Sequence, residues 1–168
     1  MRLLDKEQFD LFYQFLGGYF PKKEIKEYNH YSGLFYQGKI KVAYEYDDDF
    51  EYIISYFDLP DKIFIDYFAI NKKYQGQGKG TRILKEFIAL MNKPVLLEVE
   101  LPEGDIQKRR ISFYQNIGFH LNEYEYIIPK SLTYTEDLQF YLMSYPEAIQ
   151  KEDYQNLYEN ILKDIYQK

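Results

Sequence analysis

The sequence predicts a single α/β domain with one parallel strand pair and flanking helices. Three observations predict it. The chain has 168 residues, a length that one hydrophobic core can serve. Its apolar residues recur with period two in some stretches and near 3.6 in others. A glycine-rich turn also separates a strand pattern from a helix pattern that leads into another strand. A right-handed crossover of that kind makes its two strands parallel.

The elements follow in order. "MRLL" is a short apolar start, after which Asp5 caps a helix with Gln8 as its capping-box partner and Phe9, Phe12, Tyr13 and Leu16 as its stripe. Gly17-Gly18 closes this helix, and Pro21 predicts a second short one over Lys22 to Tyr28. Ile40 to Tyr46 and Phe50 to Phe57 are β-rich arms of a hairpin whose connection, Asp47-Asp48-Asp49, is a solvated turn. Lys62 to Ile70 is apolar on both faces, as a central strand should be, with Asp66 the exception. Ile83, Leu84, Phe87, Ile88 and Met91 then mark a helix. "PVLLEVEL" alternates, placing Val95, Leu97 and Val99 on one face and Leu96, Glu98 and Glu100 on the other. A helix over Ile106 to Ile117, two strands near Phe119–Ile128 and Leu138–Tyr145, and an amphipathic C-terminal helix complete the chain. The division is a core over 1–146 and a terminal helical segment over 147–168, one domain in all. That last helix covers the sheet or, alternatively, makes a homodimer contact.

Composition narrows the function. Cysteine is absent, which removes disulfides, thiolate metal sites and an acyl-cysteine intermediate. His30 and His120 lack metal-ligand spacing, so no metal is expected. A net charge of −6 argues against nucleic acid as a partner. The lack of an 18-residue apolar run or a signal-peptide start argues against a membrane and for a cytoplasmic protein.

The densest signal is "YQGQGKGTRILKEF", which places three of the chain's nine glycines within five residues. Glycine permits close backbone approach and positive φ at an entropic cost. At a helix start it bares unpaired N–H groups where the helix dipole favours an anion, commonly phosphate. Lys72, Lys73, Lys79, Arg82 and Lys85 surround the turn in an otherwise acidic chain. A P-loop is excluded because Lys73 stands where its first glycine belongs. The dinucleotide fingerprint fits poorly because Gly80 comes one residue early and a hairpin and two helices precede the turn, although Glu98 lies at a ribose-binding distance in sequence.

The pattern that fits is Q-x-x-G-x-G, formed by Gln75, Gly78 and Gly80. With "RRISFYQNIGF" some forty residues later, the chain resembles the Gcn5-related N-acetyltransferase (GNAT) superfamily. The two motifs span Lys62 to about Phe119, and the element order extends the likeness over most of the chain. The resemblance implies a mixed, mostly antiparallel sheet of six to seven strands whose parallel strand pair is splayed at an acetyl-CoA site. The backbone of Gln75, Gly76, Gln77, Gly78, Lys79, Gly80 and Thr81 would hold the pyrophosphate, and Phe68, Ala69 and Ile70 would offer groups to the pantetheine arm. Gln107 stands where many relatives carry an asparagine at that arm. Tyr114 would be the acid at the leaving sulfur. Arg82 and Lys85 would be within reach of the CoA phosphates.

Acetyl transfer to an amine needs a neutral nitrogen, yet a free alkylamine has a pKa near ~10.4. Asp66, Glu98 and Glu100 are the candidates for the base, each with structural pairing as an equal explanation, and the base stays open. Carboxylates suit a cationic small-molecule or peptide amine, and Tyr67, Tyr124 and Tyr126 are candidate pocket walls. The implied activity is acetyl-CoA-dependent N-acetyl transfer by direct attack in a ternary complex. A non-catalytic acyl-CoA-binding or interaction module is the alternative.

Overall fold

Ser55 pairs with Tyr67 across one antiparallel ladder and Tyr56 pairs with Ile65, leaving Asp66 as an extra residue in its strand. That bulge sits where the sheet divides. The computed structural model describes residues 1–131 and 133–166. Its strands are β1 (Arg2–Leu3), β2 (Lys41–Tyr46), β3 (Phe50–Asp58), β4 (Ile63–Ile70), β5 (Val95–Glu100), β6 (His120–Ile128) and β7 (Leu138–Tyr145). They form one seven-stranded sheet in the order β1-β2-β3-β4-β5-β7-β6. Only β4 and β5 run parallel.

That parallel pair is short. It joins Ile63–Ile65 to Val95–Leu97 and then ends. Beyond it β4 continues on β3 to Ile70, while β5 continues on β7 to Glu100. The two strands therefore diverge after the bulge, and a wedge opens in the middle of the sheet. An inserted residue bends its strand and increases local twist, which accounts for the split.

Five α-helices cover the two faces: α1 (Phe9–Gly17), α2 (Tyr28–Tyr36), α3 (Lys79–Met91), α4 (Asp105–Ile117) and α5 (Lys151–Asp164). One core joins α1, α2 and α5 to the sheet through Phe9, Phe12, Tyr31, Phe64 and Ile161. The other packs α3 and α4 against the opposite face through Leu84, Phe87, Ile111 and Val95. The expected capping box at Asp5 is present, with the carboxylate accepting from the N–H groups of Glu7 at 3.1 Å and Gln8 at 3.2 Å, over a short 3-10 turn that leads into α1. The terminal helix covers the sheet. Tyr154 and Tyr158 donate their hydroxyls to the carbonyls of Glu125 and Ile127, and Ile161 and Ile165 are buried. Burying each such side chain stabilises the fold by about 1.5–3 kcal/mol.

One expected element is displaced. The helix expected over Lys22 to Tyr28 is only a 3-10 turn, Lys22–Glu24, followed by extended Ile25. The true helix begins at Tyr28 and runs to Tyr36, without a side-chain cap and with Gly33 inside it. Its residues are weak helix formers, so packing of Tyr31, Leu34 and Phe35 into the core makes it helical. Among the described residues, no helix is long and apolar enough to cross a membrane.

Candidate active site

The glycine turn stands at the C-terminal end of β4. Gly76 and Gly78 take φ of +78° and +69°, which a side chain rarely tolerates, and Gly78 is the N-cap of α3 with no side-chain cap bond. Gln75 ties the turn to the strand end by donating Nε2 to the Ile70 carbonyl at 2.8 Å. Among the described residues, the backbone N–H groups of 76–81 have no protein acceptor. A run of free N–H groups at a helix start is a ready anion cradle. The Lys79 side chain faces away from it, with Nζ 2.6 Å from Glu51 and 4.0 Å above the Tyr74 ring. Only its backbone thus serves the turn. Gly80 keeps α3 close to α4, because a Cβ there would lie 3.4 Å from the Phe113 ring. Arg82 lies 3.6 Å from Glu86 along α3.

A cavity of about 720 Å³ runs from this turn into the wedge between β4 and β5. Its lining comes from both faces of the sheet. On the α3–α4 face it includes Phe68, Ile70, Gly78, Thr81, Gln107 and Tyr114; on the α1–α2 face it includes Phe20, Glu24, Asp66, Glu98, Glu100 and Tyr134. Ala69, Gln75, Gly76, Lys79 and Gly80 also line it, whereas Gln77 does not. Tyr114 is half-buried, edge-on to Phe113 and Phe119, and its hydroxyl has no partner among the described residues. Burial pushes its pKa up to about 12 against a small opposing effect of Arg110, so the phenol keeps its proton at neutral pH.

The three carboxylates expected in the site are there, and each is already engaged. Asp66 accepts from Lys26 Nζ at 2.5 Å. Lys26 is fully buried, its ammonium 5.2 Å from the ring centres of Tyr67, Tyr134 and Tyr166 and 5.8 Å from that of Tyr31. It also donates to the Tyr134 hydroxyl at 3.2 Å. Cation–π attraction and the ion pair together offset the cost of burying that charge. The second oxygen of Asp66, Oδ2, is buried without a partner among the described residues. Glu98 accepts the hydroxyls of Tyr126 and Tyr166, both at 2.6 Å. Burial raises its pKa, against the opposing effects of Lys26 and the two phenols. Glu100 is held by Arg110 at 2.8 Å and by Gln107 at 3.2 Å.

Glu24 is the residue that sequence reasoning missed. It lies in the 3-10 turn before α2 and lines the cavity, and its carboxylate has no partner among the described residues. Burial raises its pKa to about 7, reinforced by Glu100 and Glu98 and eased by Arg110 and Lys23. Nothing in "PKKEIKEY" distinguishes Glu24 or Lys26 from a solvated charge run. Of the tyrosines expected to wall the pocket, Tyr67 lines it and Tyr126 backs Glu98. Tyr124 instead packs 4.7 Å from Tyr154 and donates to the Ile149 carbonyl at 3.0 Å, away from the cavity.

Residues 35–121, more than half of the chain, match the family model described as Acetyltransferase (GNAT) domain. The chain belongs to the GNAT acetyltransferase family. A GNAT-family acetyltransferase from Bacteroides thetaiotaomicron is 28% identical, with a TM-score of 0.86 over 100% of this chain and 99% of that one. The spermine/spermidine N(1)-acetyltransferase of Bacillus subtilis (strain 168) is 30% identical over 112 residues, or 60% of this chain. The aligned part spans 66% of that relative's length. Naa50 of Arabidopsis thaliana, solved in complex with the bisubstrate analogue CoA-Ac-MVNAL, shares the fold at 17% identity. Its TM-score is 0.60, over 88% of this chain and 98% of that one. The two solved structures share the fold of this chain.

Proposed function

We propose that the chain is an acetyl-CoA-dependent N-acetyltransferase acting on a primary amine of a small molecule or peptide, by direct attack with both substrates bound. The observation that carries this reading is the cavity itself, which joins a backbone cradle for an anion to a carboxylate-rich wall through the split sheet. Acetyl-CoA supplies the acetyl thioester. The N–H groups of 76–81 bind its pyrophosphate, where six free donors at a helix start suit a doubly charged group. The β4 edge over Phe68–Ile70, no longer paired to β5, offers main-chain groups to the pantetheine amides as an added strand would. Tyr114, protonated and without a hydrogen-bond partner among the described residues, gives its proton to the departing sulfur.

The wall of Glu24, Asp66, Glu98 and Glu100 suits a cationic acceptor, and the name of the Bacillus subtilis relative supports an alkyl polyamine. Without a cysteine the acetyl group has no thiol of the chain to visit, in keeping with direct transfer.

Calorimetric titration with acetyl-CoA, against adenosine nucleotides and nicotinamide cofactors as controls, tests the reading together with thiol release in the presence of spermidine or a short peptide. Selective binding and thiol release are expected. Gly78→Val forces a β-branched residue into positive φ and shifts the cradle, so it should weaken acetyl-CoA binding by at least ~10-fold. Binding without release of CoA from any amine would make the chain a binding module. No binding by the folded protein would overturn the proposal.

A further inference from the structure

We infer that Glu24 is the proton acceptor for the attacking amine, an inference that rests on the acetyltransferase reading above. The argument begins with availability. Three carboxylates besides Glu24 line the cavity, and all three are committed. Asp66 is paired with Lys26, and Glu100 with Arg110. Glu98 carries two tyrosine hydroxyls. Glu24 alone among the cavity-lining carboxylates has neither hydrogen bond nor ion pair among the described residues.

Its position is fixed although it lies in a turn. The Tyr67 hydroxyl donates to the Glu24 carbonyl at 2.8 Å and accepts from the Lys26 N–H at 2.9 Å. Tyr13 donates to the Lys26 carbonyl at 2.7 Å, and the Glu24 N–H returns to the Pro21 carbonyl at 2.9 Å. Phe20 packs edge-on against the Tyr67 ring at 4.9 Å. The turn is thereby anchored to β4, beside the bulge that opens the wedge. A second observation marks the same wall as built for a ligand. Asp66 Oδ2 is buried without a partner among the described residues, on a side chain that is 1% exposed and lines the cavity.

The groups facing Glu24 tune it for the task. Glu98 and Glu100 on β5 and the desolvation of the site favour its protonated form, whereas Arg110 on α4 and Lys23 in its own turn favour the carboxylate. A base is most effective when its pKa lies near the working pH. In the step, the ammonium gives one proton to the Glu24 carboxylate. The freed nitrogen pair forms the C–N bond to the acetyl carbon, the C–S bond breaks, and Tyr114 protonates the sulfur. The second nitrogen proton restores Tyr114 through solvent, and Glu24 releases its proton after product leaves.

The test compares wild type with Glu24→Gln, using spermidine and a short peptide amine as acceptor probes. Wild-type kcat/KM should rise with pH and level off near 7. In Glu24→Gln the break should vanish, leaving a continuous rise toward the amine's own pKa, with kcat/KM at pH 8 lower by on the order of 100-fold. Acetyl-CoA affinity should change less than about twofold, and Glu24→Asp should recover part of the rate. Independently of turnover, a carboxyl 13C signal of glutamate-labelled protein should titrate near 7 in wild type and be absent from Glu24→Gln. An unchanged break with a rate within a few-fold of wild type would overturn the inference while leaving acetyl transfer intact. A wild type that binds acetyl-CoA but acetylates no amine would overturn it too, and one that binds no acetyl-CoA would overturn the acetyltransferase reading beneath it.

Discussion

The two ends of the cavity handle charge by different means. At the α3 end, six consecutive residues present backbone N–H groups, and the nearest lysine side chain is tied to Glu51 instead. At the α1–α2 end, carboxylates arrive from the 3-10 turn, β4 and β5, and among the described residues all but one are ion-paired or hydrogen-bonded by a side chain from elsewhere in the chain. A site made of backbone depends on local conformation and is indifferent to most side chains. A site made of side chains depends on the whole fold, and each buried charge in it carries a desolvation cost that its partner must offset. The first end should therefore respond to substitutions that change φ, and the second to substitutions that change partners.

The largest effect should come from breaking the buried partner set. Lys26→Met leaves Asp66 in its wall without a cation, which costs about 3–5 kcal/mol when a buried pair is broken from one side. Denaturant midpoints should show the loss, and adding Asp66→Asn should restore part of it. An unchanged midpoint would mean that the pair contributes nothing over a methionine packed among the same rings, and the contrast between the two ends would weaken.

Next in size is Tyr114→Phe. The hydroxyl makes no hydrogen bond among the described residues, so stability and acetyl-CoA affinity should stay nearly constant. The rate of acetyl transfer should fall by about 100-fold if the phenol protonates the sulfur. Equal losses in rate and affinity would make Tyr114 a packing residue of the cofactor end.

The smallest effect sharpens the comparison through pH. The Glu24 pKa is about 7 in the fold against an ordinary 4.5, so the folded chain binds more protons than the unfolded one between those values. Stability contributed at Glu24 is therefore lost as pH rises from about 4.5 to 7. Glu24→Gln removes that loss. The variant should be more stable than wild type at pH 8, by on the order of 1 kcal/mol once solvent screening of a half-buried group is allowed for. At pH 4 the two should coincide. Thermal unfolding across pH reads the difference directly.

The glycine-turn end of the cavity was legible from sequence because its information is local. Gln75, Gly78 and Gly80 sit within six residues, and positive φ at a helix start leaves a glycine pattern that can be read directly. The parallel pair followed from the same stretch, since strand, turn, helix and strand fix the crossover. The strand alternation also placed Glu98 and Glu100 on one face of β5, where both line the cavity. The carboxylate end was only partly legible. Asp66 stood out as a carboxylate in an apolar strand, but its partner lies forty residues earlier in a run of charges that looks solvent-exposed. The bulge at Asp66 was hidden as well, because an inserted residue breaks the period-two pattern without any marker of its own. α2 escaped notice for a related reason: its helicity comes from tertiary burial rather than from caps or strong helix formers.

By itself the sequence determined the order of elements, the glycine cradle and the apolar faces that fold one sheet between two helical layers, because these depend on residues near one another in the chain. Tertiary structure alone decided which carboxylate is free. Asp66, Glu98 and Glu100 are equivalent candidates as residue types, and only long-range contacts with Lys26, Tyr126, Tyr166 and Arg110 engage them while leaving Glu24 without a partner among the described residues. The physical reason is that an ionisable group's availability and pKa are set by burial and neighbouring charge, and the chain brings those neighbours together only when it closes.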